Sequence, residues 1–374
     1  MTRFPIILLL LVLLTAFCRQ AISETIPAPT MATAIATLES KPPQERHPTA
    51  APQPAVTSES LSPAGPVIEG CPVFPANNIW NTPISDLPVH PLSDVFIAGI
   101  GPNTGLHPDF GSGLWDGGPI GIPYVTVSGQ QPLVPIDFIW YGDESDPGPY
   151  PVPPDAPIEG GPESDGDRHV LVIDRDNCYL YELYYAWPQT DGSWQAGSGA
   201  VYDLNSHALR PEGWTSADAA GLPIFPGLVR YDEVAAGHID HALRFTVSQT
   251  RRAYVWPARH FASDDASPTL PPMGLRFRLK ASFDVSPYPP PVRVILNALK
   301  EYGMIIADNG SDWYISGVPD ERWDNDMLVS TLATVHGSNF EAVDTSSLMV
   351  DPDSGEARTF TAQNWWWLPA FLAP

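Results

Sequence analysis

Basic residues are scarce in this chain, which has 19 lysines and arginines against 43 aspartates and glutamates and a net charge of −24 at pH 7. A surface of this sign repels the phosphates of nucleic acids and anionic lipids. It also disfavours polyanionic substrates unless a cation such as calcium bridges them. We therefore expect no nucleic acid partner and favour a neutral one, although an acidic surface also serves solubility alone.

Long apolar runs are lacking too. Residues 5–17 are almost wholly apolar, and the small residues Ala21 and Ser23 follow them. A spanning helix needs roughly 20 apolar residues, whereas a shorter run with this layout is typical of a secretory signal peptide. We predict a signal peptide over residues 1–23 and a secreted mature chain without a transmembrane segment. A retained anchor and a lipid on Cys18 are the alternatives.

Cysteine is rare, with three residues in 374. Cys18 leaves with the predicted signal peptide, so that Cys71 and Cys178 remain in an oxidising compartment. Two cysteines alone cannot build a structural zinc site. We predict a disulfide between Cys71 and Cys178, with two unrelated buried thiols as the alternative.

Motifs of the common enzyme classes are missing. The sequence has no Gly-x-Ser-x-Gly elbow, no phosphate-binding loop, no His-Glu-x-x-His and no dinucleotide fingerprint. These absences argue against the commonest serine hydrolases, nucleotide enzymes and zinc proteases. The chemistry must therefore be sought in weaker groupings of polar residues.

Composition divides the rest of the chain into three segments. Residues 24–66 are rich in Pro, Ala, Thr and Ser and contain no aromatic residue, which predicts a disordered linker. Aromatic residues become frequent over residues 67–350, a length that suits one globular domain. Residues 351–374 are first polar and then Trp-rich, and we interpret them as a C-terminal tail.

Short β-branched and aromatic runs dominate the predicted domain. They are residues 124–127, 133–141, 169–173, 178–185, 200–204, 241–247, 253–256 and 275–284. Residues 175–177 look like a turn and predict a hairpin. Helical spacing is confined to residues 292–299 and 328–335, with single turns at 216–220 and 232–236. The pattern predicts a mostly β, monomeric domain, a β-sandwich of jelly-roll type with two or three short helices and long Pro- and Gly-rich loops.

Histidines and carboxylates at predicted strand ends are the candidates for acid–base chemistry. His241 begins one predicted strand, His260 follows another, and Asp308 follows the apolar residues 305–307. The other candidate carboxylates are Asp203, Glu233 and Asp284. Histidine titrates near neutral pH, and hydrolysis of a glycosidic bond needs two carboxyl groups. The alternatives are buried histidines bonded to the backbone, metal ligation that includes His238, and ordinary turn chemistry at Asp308.

Aromatic, amide and basic side chains are the candidates for substrate binding. They are Trp80, Asn81, Trp256, Arg244, Arg278 and Lys280. Trp256 suits the face of a sugar ring and equally suits a core position. The basic residues would bind substrate or pair with nearby carboxylates.

Asp165 and Asp167 lie in an oxygen-rich loop that would suit calcium. The ligand spacing is not that of an EF-hand, so a solvated acidic loop is the alternative. We expect no required cofactor, with calcium as the one candidate ion.

Five segments of the domain form a recognisable set, namely residues 71–75 with 78–81, 215–223, 237–243, 280–284 and 307–310. Together they resemble a group of secreted bacterial proteins. The resemblance covers nearly the whole domain and implies a distinct family. It brings no activity with it, and therefore implies no catalytic residue.

Export, the sandwich-like pattern and the abundance of aromatic residues predict a secreted carbohydrate-active enzyme. We expect a hydrolase of a neutral polysaccharide, or less favourably a lyase, that uses Asp and Glu carboxylates assisted by His. One alternative is a non-catalytic cell-wall or glycan-binding domain. The other is a metal-dependent enzyme with histidine ligands.

Overall fold

The computed structural model describes residues 65–359. The predicted signal peptide, nearly all of the predicted linker and the Trp-rich end of the predicted tail lie outside the described residues. Strand content exceeds helix content, at 26% against 17%, which confirms the prediction of a mostly β fold. Within residues 65–359, no helix has the length and apolarity that a membrane crossing requires.

The strands are short and are interrupted by long loops. In chain order they are β1 (Val67–Ile68), β2 (Cys71–Pro72), β3 (His107–Asp109), β4 (Leu114–Trp115), β5 (Gly118–Pro119), β6 (Tyr124–Val127), β7 (Ile136–Phe138), β8 (Val170–Asp174), β9 (Tyr179–Tyr184), β10 (Trp187–Pro188), β11 (Trp194–Ala196), β12 (Ser198–Asp203), β13 (Leu243–Val247), β14 (Arg276–Leu279), β15 (Met304–Asn309), β16 (Tyr314–Ser316) and β17 (Phe340–Val343). The α-helices are α1 (Ser93–Ile100), α2 (Tyr231–Ala236), α3 (Pro290–Glu301) and α4 (Asn325–Leu332).

The larger sheet has six strands in the order β17-β14-β15-β13-β16-β3. The pairs β13–β15 and β16–β3 are parallel, which departs from the antiparallel ladders of a jelly roll. Parallel neighbours need a crossover connection, and α3 lies on the chain between β13 and β15. Helix α3 begins with prolines in its first turn and buries the predicted apolar face. Gly303, at a φ of 67°, follows its end and leads into β15.

The smaller of the two main sheets has four strands in the order β12-β9-β8-β6, and the remaining strands of the described residues form a three-stranded sheet, β10-β11-β7, and the two-stranded β1-β2 and β4-β5. The centre of the four-stranded sheet is the predicted hairpin, in which Asp174 of β8 lies opposite Tyr179 of β9. The Asp174 carboxylate accepts hydrogen bonds from the backbone N–H groups of Asp176 and Asn177, which stabilises the turn. The predicted disulfide between Cys71 and Cys178 is confirmed, and it joins β2 to the residue before β9.

Both sheets contribute to one main core. One face of the four-stranded sheet, with Leu171 and Ile173, packs in the same apolar cluster as Phe245 and Phe277 of the six-stranded sheet. Its other face forms a smaller core around Trp194. Because β8 is covered on both faces, all of its residues are buried, and the four before Asp174 are continuously apolar rather than alternating.

Two predicted elements have a different structure. Residues 253–256 form no strand, because Tyr254 pairs with Met273 only as an isolated bridge. Residues 216–220 form no helix. The Ser216 hydroxyl accepts a hydrogen bond from the Asp218 N–H, and such side-chain bonds compete with helical ones. The predicted strand at residues 275–284 also ends early, at Leu279.

Candidate functional site

A cleft of about 450 Å³ lies where the end of β15 meets β9 and β12. The six-stranded sheet contributes Asp308 and Asn309 to its lining, and the four-stranded sheet contributes Tyr184 and Ser198. Residues 215–219 and 260–264 line much of the remainder. The lining carboxylates are Asp167, Asp218, Asp264 and Asp308, and among the described residues no lysine or arginine lines this cleft. The cleft is therefore acidic and disfavours anionic ligands.

A β-bulge directs Asp308 into the cleft. The register between β13 and β15 shifts by one residue at Ala307, so that Asp308 lies opposite Thr246. Strict alternation would place Asp308 on the same face as Ile306. The extra residue moves it to the face of Thr246 and Arg244, and the Asp308 carboxylate oxygen lies 3.8 Å from the Arg244 guanidinium.

Arg244 and Asp218 form a buried ion pair beside Asp308. The guanidinium donates from Nε to Asp218 Oδ2 at 2.6 Å and from Nη2 to Oδ1 at 2.7 Å. Its Nη1 donates to the hydroxyl of Ser316 at 2.6 Å. The Asp218 side chain is fully buried, so this two-point pairing offsets a large desolvation penalty. Arg244, a candidate for substrate binding, is thus engaged within the protein.

The Asp308 carboxyl stands at the cleft wall with 23% of its side chain exposed. Burial raises its pKa, the charge of Asp218 raises it further, and Arg244 lowers it. The outcome is a pKa of about 8. Burial is the largest cause, and because Asp218 already pairs with Arg244, the guanidinium opposes the rise only in part. Asp308 therefore holds a proton at neutral pH and can act as a general acid.

His260 presents one ring nitrogen with a defined role. Its Nδ1 lies 2.8 Å from the carbonyl oxygen of Ala219. A carbonyl only accepts, so Nδ1 carries the proton and Nε2 of the neutral ring is an acceptor. The ring stacks on Phe261 at an interplanar angle of 4°, and both residues line the cleft. His260 can therefore accept a hydrogen bond from a hydroxyl group or from water.

The loop before β8 contributes Asp167, an exposed carboxylate in the cleft lining. The next residue, Arg168, is almost completely buried and has a φ of 52°. Its guanidinium donates to the carbonyl oxygens of Pro162 and Ala186 and lies 3.5 Å from the centre of the Trp187 ring. Arg168 thus anchors the loop that presents Asp167.

Tyr184, at the end of β9, lines the cleft close to Asp167 and Asp308. Burial, followed by the charges of Asp167 and Asp308, raises its pKa to about 12. Its hydroxyl therefore stays protonated and can donate a hydrogen bond to a ligand.

A second buried ion pair supports the segment that carries Asp218. His169 Nδ1 lies 2.6 Å from a carboxylate oxygen of Glu159, and Nε2 lies 2.9 Å from the carbonyl oxygen of Ala217. Both partners are acceptors, so both ring nitrogens donate. Burial lowers the pKa of His169, but Glu159 outweighs burial and raises it to about 9. The pair links the loop before β8 to Ala217.

Two of the predicted catalytic residues, His241 and Glu233, lie outside the cleft lining and contact each other. His241 is fully buried, its Nδ1 donates to the carbonyl oxygen of Ala242, and its Nε2 lies 3.2 Å from Glu233. Glu233 also pairs with Arg230. Burial raises the pKa of Glu233, but Arg230 and His241 outweigh it and lower the pKa to about 2. These contacts give the group a structural role.

The other two predicted carboxylates, Asp203 and Asp284, occupy turns outside the cleft lining. Asp203 ends β12 and accepts from the N–H of Asn205. Asp284 is exposed and accepts from the N–H of Ser286, which lowers its pKa. Both are carboxylate-capped turns of ordinary kind.

The predicted binding residues Trp80, Asn81 and Trp256 face the interior or its edge. Trp80 is 2% exposed and belongs to the main core. Asn81 is buried and donates to backbone carbonyl oxygens, including that of Val73. The indole N–H of Trp256 donates to the carbonyl oxygen of Ser354. Trp80 is therefore a core residue, Trp256 packs partly buried against the main core, and the Asn81 amide holds the N-terminal segment of the domain.

The candidate basic residues Arg278 and Lys280 are likewise engaged by the protein itself. Arg278 is buried, pairs with Glu341 and donates to the carbonyl oxygens of Ile84 and Leu87. Lys280 donates to the carbonyl oxygen of Ser338. Neither residue lines the cleft. These side chains hold the N-terminal segment and the loop before β17 against the six-stranded sheet.

Within residues 65–359, no group of three or more His, Cys, Asp or Glu side chains is arranged to hold a metal ion. Of the two candidate calcium ligands, Asp167 lines the cleft and Asp165 is not among the lining residues. His238 is exposed and lies 3.5 Å from Asp240.

Sequence reasoning identified Asp308 and His260 but missed most of their neighbours. Asp218 lies in a segment that we predicted to be helical, and Tyr184 was only part of a predicted strand. A signal for Asp218 was available, because it is the one charged residue in the otherwise apolar residues 217–222. A charged carboxylate that is buried in such an apolar segment is stable only when a cation pairs with it, because its desolvation otherwise costs too much free energy.

Comparison with known proteins adds no relative, because no family model, no curated protein and no solved structure matches this chain.

Proposed function

We propose that this protein is a secreted glycoside hydrolase that cleaves a neutral polysaccharide, with Asp308 as the general acid. The observation that supports the proposal is that Asp308, a carboxyl with a pKa of about 8, lines one cleft together with the exposed carboxylate of Asp167 and with His260. Two carboxyl groups in different environments are the requirement for this chemistry.

Asp308 would transfer its proton to the glycosidic oxygen as the bond between that oxygen and the anomeric carbon breaks. The leaving sugar departs as an alcohol, and positive charge develops on the anomeric carbon. The acidic cleft stabilises this charge because Asp167 and Asp264 add negative potential. A molecule of water supplies the hydroxyl group of the second product.

Asp167 would be the second carboxylate. It would either remove a proton from the attacking water or attack the anomeric carbon itself, and the configuration of the first product distinguishes the two routes. His260 would accept a hydrogen bond from a sugar hydroxyl through Nε2, and Tyr184 would donate one. The role of His260 follows from the bond of its Nδ1 to the Ala219 carbonyl, and that of Tyr184 from its raised pKa.

A neutral polymer suits the charge, and a secreted location suits the disulfide. An acidic cleft on a chain of net charge −24 repels uronic acids and sulfated sugars. The bond between Cys71 and Cys178 is compatible with an oxidising compartment, and the N-terminal sequence predicts export.

The test is a degradation assay with the full mature chain on a panel of soluble polysaccharides, with mass spectrometry of the products. We expect saturated oligosaccharides from a neutral glycan, no product from Asp308→Asn, and full activity from Asp284→Asn, a matched change at an exposed turn. Unsaturated products would replace the hydrolase with a lyase. If the folded protein degraded no glycan, a binding domain would take the place of the enzyme.

A further inference from the structure

An aromatic ridge, formed by Trp140, Tyr141, Tyr184 and Tyr185, adjoins the cleft. Tyr141 and Tyr184 are part of the cleft lining. The Trp140 ring stacks on Tyr185 with centroids 4.5 Å apart, and its centroid lies 5.8 Å from that of Tyr184. Trp140 is nevertheless 50% exposed and Tyr141 is 43% exposed. Trp140 thus touches two other rings and still faces solvent beside the exposed Tyr141, which is typical of a patch that marks a binding surface.

Backbone hydrogen bonds and close packing at Gly197 hold the aromatic ridge in place. The backbone on either side of Trp140 is bonded to the strand next to it, from Ile139 N–H to the carbonyl of Ala196 and from Tyr141 N–H to the carbonyl of Gly197. The absence of a side chain at Gly197 leaves room for the rings. A Cβ there would lie 2.7 Å from the Trp140 ring and 2.9 Å from the Tyr184 ring. A preformed surface loses little entropy when it binds.

We propose that the aromatic ridge binds sugar rings of a neutral polysaccharide chain beyond the cleft, with the exposed part of Trp140 as the stacking surface. The inference rests on the proposed function and extends it, because the enzyme would hold more of the chain than its cleft encloses. The C–H face of a sugar ring is flat and apolar and matches an indole, while the hydroxyl groups at its edge stay hydrated.

The position of the aromatic ridge and the charge of the cleft favour a neutral polysaccharide as the ligand. A chain that leaves the cleft past Tyr141 and Tyr184 meets Trp140 next, so one linear polymer can contact both surfaces. The carboxylates at the cleft end repel an anionic partner, whether an acidic polysaccharide or a nucleic acid. A neutral chain has no such penalty.

The binding test uses the full mature chain with Asp308→Asn, so that bound polymer is not cleaved. Migration is measured in gels that contain hydroxyethyl cellulose, xylan, laminarin, galactomannan or amylose. We expect one polysaccharide to retard this variant, and added Trp140→Ala to weaken the binding about tenfold, with a smaller loss for Trp140→Phe. Tyr179→Ala is the matched control, because Tyr179 is 38% exposed on the same strand as Tyr184 but at its other end.

Hydrolysis provides a second measurement in the active protein. Trp140→Ala should lower kcat/KM on the polymer about tenfold, and kcat/KM on an oligosaccharide that fills only the cleft by a much smaller factor. Equal retardation of Trp140→Ala and its parent would overturn the inference, as would the absence of retardation in every polysaccharide. If Trp140→Ala lost binding while the wild-type chain cleaved nothing, the result would support polysaccharide binding by the aromatic ridge and contradict the proposed hydrolase activity.

Discussion

Single residues decide the chemistry of the cleft. One extra residue, Ala307, moves Asp308 to the face of Arg244, and the prior pairing of Arg244 with Asp218 leaves Asp308 protonated. The buried charges then balance, since Arg244 and His169 are matched by Asp218 and Glu159 while Asp308 is neutral. The protonation of Asp308 thus depends on which neighbouring carboxylate forms the ion pair with Arg244.

Asp167 and Asp165 form a matched pair for testing the second carboxylate. We expect Asp167→Asn to lower kcat about 100-fold, because the proposed second carboxylate is lost, and Asp165→Asn to leave kcat unchanged. The measurement is the initial rate on the responsive polysaccharide, with and without a chelator. Equal loss in both variants, restored by calcium, would instead assign the loop to an ion site.

The protonation of Asp308 sets the upper pH limit of activity. A general acid works while it holds its proton, so kcat/KM should be retained below about pH 8 and fall as pH rises through the pKa of Asp308. The negative charge of Asp167 is one of the causes that raise this pKa, so the fall in Asp167→Asn should begin at lower pH. A pH–rate profile of both proteins provides the check, and superimposable upper limbs would contradict the coupling.

At the scale of elements, loops are held in place by buried charged side chains. Arg168 anchors the loop before β8, and Glu182 of β9 accepts hydrogen bonds from the backbone N–H groups of Ile224 and Phe225. Burial raises the pKa of Glu182, and the two N–H groups limit the rise to about 7. Long loops without regular structure are thereby kept in one conformation around the cleft.

The pair of His169 and Glu159 should make stability depend on pH. The pKa of His169 is about 9 in the folded chain against 6.5 in the unfolded chain. Its contribution, of the order of 3 kcal/mol, is therefore complete below pH 6.5 and is lost as pH rises through 9. The free energy of unfolding, measured in urea from pH 6 to 10, should fall more steeply in the wild-type chain than in His169→Gln. Parallel curves would exclude this role for the pair.

At the scale of the molecule, the six-stranded and four-stranded sheets share one core, and a disulfide closes a long loop between the N-terminal segment of the domain and the four-stranded sheet. The two cysteines are 107 residues apart in sequence, and closing a loop of that length stabilises a fold by about 4 kcal/mol. The bond joins the segment that enters the domain to the hairpin of the smaller sheet. It thus limits the separation of parts that are distant along the chain.

Cys71→Ser with Cys178→Ser should lower the free energy of unfolding by about 4 kcal/mol while the cleft keeps its activity. Denaturant unfolding and the polysaccharide assay measure the two effects. A reducing agent provides the control, because it should destabilise the wild-type chain to the same extent and leave the double variant unchanged. A loss of activity at full stability would mean that the bond shapes the cleft.

Local patterns in the sequence were sufficient for elements whose cause is local. The apolar spacing of α3, the carboxylate-capped turn between β8 and β9 and the pairing of Cys71 with Cys178 all agree with the structure. The mostly β composition also agrees. Neighbouring residues supply the physical reason for the helix and the turn, whereas the disulfide is a long-range contact that was predicted from the number of cysteines expected in the mature chain.

The arrangement of the cleft depends on contacts between residues that are distant in sequence. Arg244 and Asp218 are 26 positions apart, and His169 reaches Ala217 across 48 positions. No local spacing encodes the bulge at Ala307, because it follows from how β15 packs against β13 and accommodates its neighbours. The sequence by itself thus determined the mostly β content and those elements whose apolar spacing is regular, whereas the tertiary structure decided which polar groups are buried together. Burial and pairing are what change a carboxylate into an acid, and both exist only in the folded chain.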